Sequence, residues 1–318
     1  MIETRGLTRR YGDLTAVDDL DLKVGQGELF GFIGPNGAGK TTTIQILATL
    51  LQPTSGFAWV AGYDVCFEGR EVRRAIGYMP DFFGLYHNLR VWEYLEFFAA
   101  AYDLTGARRR SIVGDVLELT DLAAKRDAVV GELSRGMQQR LGLARVLVHD
   151  PQVLLLDEPA SGLDPRARLE VREILRELRS MGKTILLSSH ILSELAEVCT
   201  SIGILHGGRL IASGPVAEVL ARVGAGRTAK LRVDAAAADA TAAFAGLAGV
   251  ERVESADGDG ARPAELRMTL GPELDLPAIA AFAVQRGLPL LHLEEERVDL
   301  EEAYLLLTDG KPAQGAPG

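Results

Sequence analysis

The chain has 318 residues, of which 47% are hydrophobic and 25% charged, ordinary globular values that exclude wholesale disorder, a collagen-like repeat and a disulfide-built scaffold. At about 100 to 200 residues per domain the length allows two domains. The formal net charge of −10 disfavours broad attachment to nucleic acid or anionic lipid, because neither polyanion is drawn to an acidic surface.

Only Cys66 and Cys199 occur, without paired spacing, and the five histidines are scattered. Neither a disulfide framework nor a zinc site is supported, and a reducing cytosol fits best. The opening stretch MIETRGLTRRYG lacks the apolar core of a secretory signal. No run of about 18 apolar residues occurs, so the chain is expected not to span a membrane.

In chain order, residues 2 to 33 alternate apolar and polar positions and read as strands, the last running into a glycine-rich turn. Thr42 to Leu51 has the spacing of a buried helix, and residues 85 to 149 are largely helical in pattern, which predicts a helical insertion. Val153 to Leu156 and Thr184 to Leu187 are short apolar runs suited to central parallel strands, with the amphipathic stretch Pro165 to Met181 between them. Alternating strand and helix imply an α/β sheet covered by helices on both faces.

Gly224 to Gly226 marks a linker. Beyond it the pattern reads strand 229–233, helix 236–246, strand 250–254, strand 264–270, helix 276–286 and strand 289–294, the order of a small α+β, ferredoxin-like domain. Asp299 to Thr308 would be a closing helix. The expected organisation is therefore residues 1–222, then 229–309, then a flexible tail over 310–318.

Gly34-Pro35-Asn36-Gly37-Ala38-Gly39-Lys40-Thr41-Thr42 matches the P-loop pattern and lies between a predicted strand and a predicted helix, the context that pattern requires. Its glycines let backbone N–H groups close around phosphate oxygens. Lys40 would reach the β- and γ-phosphates, Thr41 would bind Mg²⁺, and the helix start presents its positive dipole end to the anion. Leu154-Leu155-Leu156-Asp157-Glu158-Pro159 ends an apolar strand in two carboxylates, which a parallel sheet would bring beside the P-loop. Asp157 can hold Mg²⁺ through water. Glu158 points elsewhere and can polarise a water for in-line attack on the γ-phosphate.

Leu133-Ser134-Arg135-Gly136-Met137-Gln138-Gln139-Arg140 resembles the signature motif of ABC ATPases, between P-loop and acidic strand end as in that family. Ser161-Gly162-Leu163-Asp164 resembles its D-loop and Ser188-Ser189-His190 its H-loop, while Tyr11 looks like the aromatic residue that stacks on adenine. The likeness covers residues 1 to about 222; the rest resembles, more loosely, C-terminal domains appended to some exporter ATPases. It implies a P-loop NTPase fold with a RecA-like parallel sheet core, an antiparallel β subdomain and a helical insertion. ATP and Mg²⁺ are the implied cofactors.

The resemblance further implies that Ser134 and the Gly136 amide, at a helix N-terminus, contact the γ-phosphate of ATP held by a second copy. Two nucleotides would then be sandwiched between head-to-tail domains. Ser134 is also expected to cap its helix. His190 would link Glu158 to the nucleotide. Two departures matter: Arg135 and Met137 stand where the family often has Gly and Gln. The Q-loop would be Gly77-Tyr78-Met79-Pro80-Asp81, which puts a carboxylate at the glutamine position. Asp81 can bind the metal directly but adds negative charge near the γ-phosphate, so altered Mg²⁺ dependence and slow basal hydrolysis are expected.

Phe82 to Tyr86 and the run through Trp92, Tyr94 and Phe98 form an aromatic-rich stretch where the family docks short helices of a membrane-spanning partner. The expected function is the ATP-hydrolysing subunit of an ABC transporter, of exporter type, on the cytoplasmic face of the membrane. Its partners would be separate integral membrane permease subunits and a second copy of itself, with no direct nucleic acid contact. The rival is a soluble ABC ATPase acting on ribosomes or DNA, against which the acidic charge and the single nucleotide domain both argue. The small C-terminal domain would extend the dimer interface or bind an effector, the former preferred.

Overall fold

The computed structural model describes residues 1–82, 84–190, 197–222, 227–255, 262–271 and 273–296. The chain divides into two compact units, one over Met1–Val216 and one that begins at Ala217, each with its own apolar core. The linker at 224–226, the closing helix at 299–308 and the tail at 310–318 lie outside the described residues.

In the first unit, β1 (Ile2–Tyr11), β2 (Leu14–Val24), β4 (Ser55–Val60) and β5 (Tyr63–Asp64) form an antiparallel sheet in the order β2-β1-β4-β5. A second sheet of six strands follows the order β10-β9-β3-β8-β7-β6. Its members are β3 (Leu29–Ile33), β6 (Ile76–Met79), β7 (Val153–Asp157), β8 (Thr184–Ser189), β9 (Ser201–His206) and β10 (Arg209–Pro215). The pairs from β6 to β9 are parallel; β10 alone runs antiparallel.

Every residue of β3, β7 and β8 is buried. That is why these strands read as unbroken apolar runs, since a parallel strand is covered on both faces. Phe30, Phe32, Leu155 and Leu186 join Ile44 and Leu47 in one core, which extends to Leu20, Leu22 and Val60 of the antiparallel sheet. Burying side chains of this size stabilises the fold by about 1.5–3 kcal/mol each.

Helix α1 spans Lys40–Leu47, beginning and ending earlier than the expected Thr42 to Leu51. Gly39 supplies the left-handed start at φ 102°. Thr49, at φ 62°, takes the chain out of helical geometry, so the apolar spacing runs on past the helix itself. The segment 52–79 carries no clear period, yet it holds β4, β5, α2 (Gly69–Ala75) and β6; pieces this short are too brief to display one. The expected helical insertion is α3 (Val91–Ala101), α4 (Gly106–Leu119) and α5 (Arg135–Leu147), packed on one another. Helix α6 (Pro165–Ser180) follows β7, its start capped by Asp164, whose carboxylate accepts the Ala167 N–H at 3.0 Å.

The second unit holds β11 (Arg227–Val233), β12 (Val250–Ser255), β13 (Ala264–Leu270) and β14 (Leu290–Glu296), with helices Ala237–Ala245 and Leu276–Gln285. The sheet is antiparallel throughout in the order β12-β13-β11-β14, the ferredoxin-like arrangement. Residues of β13 alternate in burial, as a sheet with one covered face requires. Leu231, Leu266 and Met268 pack there with Phe244 and Ile279 of the two helices.

Candidate active site

Parallel register brings the site together. Ile33 of β3 pairs with Ser189 of β8, and Asp157 of β7 pairs with Ser188, so three strands end level at one edge of the sheet. The loop after β3, the carboxylates after β7 and the histidine after β8 therefore meet at the strand C-termini, where open α/β sheets bind ligands.

The loop Gly34–Gly39 turns directly into α1. Gly39 is obligatory: at φ 102° a side chain is strained, and a Cβ would come within 2.5 Å of the Ala16 carbonyl oxygen. Lys40 is 6% exposed, and its Nζ donates to the carbonyls of Gly34 at 2.6 Å and Pro35 at 3.2 Å. Burial lowers the Lys40 pKa, a shift that the charges of Glu158 and Asp157 oppose. The Thr43 hydroxyl donates back to the Gly39 carbonyl, while Thr41 is exposed.

Asp157 is 1% exposed. Ser188 Oγ donates to its Oδ1 at 2.6 Å and accepts the Glu158 N–H at 3.0 Å. This hydroxyl holds one carboxylate and the backbone of the next residue at once. Glu158 adopts φ 51°, a left-handed conformation that costs a residue with a Cβ about 1–2 kcal/mol. Its Oε2 lies 2.8 Å from His190 Nδ1 and its Oε1 3.8 Å from Lys40 Nζ. A carboxylate only accepts, so the His190 Nδ1 carries the hydrogen.

A cavity of about 350 Å³ opens here. Of the residues singled out in the sequence, Tyr11, Asn36, Gly37, Ala38, Gly39, Lys40, Thr41, Thr42, Asp81 and Glu158 all line it. Asp157 is buried outside that wall, and His190 reaches the site through Glu158. Ser134 and Gly136 are not brought to this cavity. They stand at the start of α5, where Ser134 Oγ accepts the Met137 N–H at 3.3 Å as the helix cap.

Several contributions are not assigned from the sequence, some of them made by residues inside the quoted motifs. Leu14 and Ala16 line the cavity; Ser188 organises the carboxylates; Gln139 Nε2 donates to the Pro159 carbonyl at 2.7 Å, tying α5 to the turn after Glu158. Tyr78 on β6 has its phenol pushed up to about 12, by burial first and by the Asp157 charge second. Ser188 is visible as the first residue of the H-loop-like run and as a polar residue closing an apolar strand, but its bridging role is not.

Oxygen donors of Thr41, Asp81 and Asp157 suit a hard divalent cation. Among the described residues no group of three or more His, Cys, Asp or Glu is placed to hold a metal by itself.

A backbone cradle at a helix start, a buried lysine and a carboxylate pair at the strand ends define a nucleoside triphosphate site of the P-loop class. A family model described as ABC transporter matches residues 17–161. The Nod factor export ATP-binding protein I of Burkholderia pseudomallei (strain 1710b) is 44% identical over 213 residues, covering 67% of this chain and 70% of that protein. The daunorubicin resistance ATP-binding protein DrrA3 of Streptomyces coeruleorubidus is 36% identical over 311 residues, 96% of this chain and 95% of that one. Among solved structures, an ATP-binding subunit of an ABC transporter is similar at TM-score 0.63 and 32% identity, covering 70% of this chain and 93% of that one. A dimeric bacterial ABC transporter cassette is similar at TM-score 0.61 and 26% identity, covering 68% and 99%. The chain belongs to the ABC transporter family, as an ATP-binding and ATP-hydrolysing subunit.

Proposed function

We propose that the chain powers export through separate membrane-spanning permease subunits, on the cytoplasmic face of the membrane, by ATP-driven closure of two copies. The observation that carries the catalytic part is the pairing of His190 with Glu158 at 2.8 Å, where Glu158 lines the P-loop cavity. The relatives named for Nod factor export and daunorubicin resistance favour export. Among the described residues no helix is long and apolar enough to cross a membrane.

In this reading Tyr11 stacks on the base, and the amides of Asn36 to Thr42 surround the phosphates. Lys40 exchanges its contacts with the Gly34 and Pro35 carbonyls for phosphate oxygens. Thr41, Asp157 and Asp81 are the residues that would hold Mg²⁺, which supplies neutralisation of charge on the β- and γ-phosphates. Glu158 accepts a proton from the attacking water as the water oxygen bonds to the γ-phosphorus and the bond to ADP oxygen breaks, releasing ADP and phosphate. His190 fixes the Glu158 carboxylate.

Ser134 and the Gly136 amide, remote from their own chain's cavity, would serve the ATP of the second copy. Moving an open–closed equilibrium from 1:99 to 99:1 takes about 5.5 kcal/mol of differential binding, within reach of a few charge-assisted hydrogen bonds at two nucleotides. Tyr86, 53% exposed, and Phe97, 54% exposed, flank Phe98 in an aromatic cluster, a surface suited to the permease. The second unit would extend the contact between copies.

The test is Glu158→Gln in the full chain. Hydrolysis should fall by about 10²–10⁴-fold, nucleotide should be retained, and sedimentation with Mg²⁺ and ATP should show two copies together. Normal turnover would refute the base assignment. A chain that stays single under saturating ATP with its membrane partner supplied would refute the closure.

A further inference from the structure

Tyr11 closes β1 on the wall of the nucleotide cavity with 43% of its surface exposed. A ring that exposed has more than one rotamer open to it. Arg9, two residues earlier on the same face of β1, sets its guanidinium carbon 4.6 Å from the Tyr11 ring centre. Arg9 does not line the cavity, so it touches the ring from outside it.

The guanidinium is itself anchored. Its Nη1 donates to the Gln52 carbonyl at 2.9 Å, and its Nε is buried with no hydrogen-bond partner. The adjoining backbone is pinned as well: the Arg10 N–H donates to Thr54 Oγ1 at 3.0 Å, and the Thr54 N–H to the Thr8 carbonyl. A cation partly withdrawn from water, held over a ring by a contact with the backbone of the loop before β4, gains more from that ring than a solvated one does.

We propose that Arg9 is a positioning residue that backs the Tyr11 ring for the nucleotide base, and so sets how strongly the site prefers ATP to a bare triphosphate. This rests on the reading of Tyr11 as the base-stacking residue. Arg9 polarises the ring from outside and restrains its rotation; the base takes the ring from the cavity. Phosphate contacts through Lys40 and the loop are untouched by it.

Calorimetric titration of the full chain with ATP and with tripolyphosphate, both with Mg²⁺, tests this. Arg9→Met should raise the Kd for ATP about two- to fivefold and leave the Kd for tripolyphosphate unchanged. In a Tyr11→Ala background the same substitution should add nothing, because the two residues act as one unit. Arg9→Lys, which keeps the charge but not the planar stack, should lose less and remains usable if the methionine variant does not fold. Equal losses for both ligands, or losses additive with Tyr11→Ala, would overturn the proposal. So would an unchanged ATP affinity in Arg9→Met beside a weakened one in Tyr11→Ala, with the reading of Tyr11 left standing. If Tyr11→Ala itself treats ATP and tripolyphosphate alike, the stacking role of Tyr11 fails and the role of Arg9 falls with it.

Discussion

Glu158 holds a backbone conformation unusual for its side chain, and the neighbours that maintain it are the ones that aim it. Ser188 takes its N–H, His190 its Oε2, and Lys40 lies 3.8 Å from its Oε1. Strain of this kind persists where the surroundings over-determine it. Asp81 lines the same cavity with a second carboxylate. Asp81→Gln is expected to raise basal turnover and change its Mg²⁺ dependence, measured as phosphate release against metal concentration; no change in either would reduce Asp81 to a loop residue. Cys199 is chemically quiet by contrast. Burial pushes its thiol up to about 12, so at pH 8 about one in ten thousand is thiolate. Native protein should leave Cys199 unlabelled by iodoacetamide, and unfolded protein should expose it, as peptide mapping would show.

At the scale of elements, α5 links the capping serine to the turn after Glu158. Its first turn carries Ser134 and Gly136, and its body carries Gln139, bonded to the Pro159 carbonyl beside Glu158. Arg140, 5% exposed, reaches from it to the carbonyls of Thr120 and Asp121 and to the Asp121 carboxylate. The approach of α5 to α6 is set by Gly136, where a Cβ would lie 2.8 Å from the Ala167 Cβ. Gly136→Ala must therefore part the two helices, at about 1–3 kcal/mol. A lower midpoint of thermal unfolding is expected, together with weaker ATP-driven pairing of the Glu158→Gln protein; an unchanged midpoint would mean that the helices have room to give.

At the scale of the whole molecule, the two units differ in what they contribute. The cavity and its catalytic groups lie within Met1–Val216, with a core of their own. A chain ending after Val216 should keep its affinity for ATP and pair less readily at equal concentration, as titration and sedimentation would show. Equal pairing would leave the second unit outside the contact between copies. The acidic balance of −10 suits a protein whose anionic ligand is caught by local backbone amides and one buried lysine, with no need of a basic surface.

Much of this was legible in the residues alone. Gly39, Lys40 and Thr41 declare a phosphate cradle because only a glycine-rich turn into a helix has amides to spare. The runs at 153–156 and 184–187 declare buried parallel strands because both faces are covered. The order of elements from 229 to 294 declares the small antiparallel domain. What stayed hidden depends on neighbours far along the chain. That Ser188 would bridge Asp157 and Glu158, that Gln139 would hold Pro159, and that Arg9 would lie over Tyr11 follow from strand register and side-chain direction. The sequence by itself determined which chemical groups are present and which local turns they occupy, since those follow from neighbours a few residues away. Only the tertiary structure decided which of them share a cavity and which, like Ser134 and Gly136, stand away from it, because that is settled by how the strands align and how closely the helices pack.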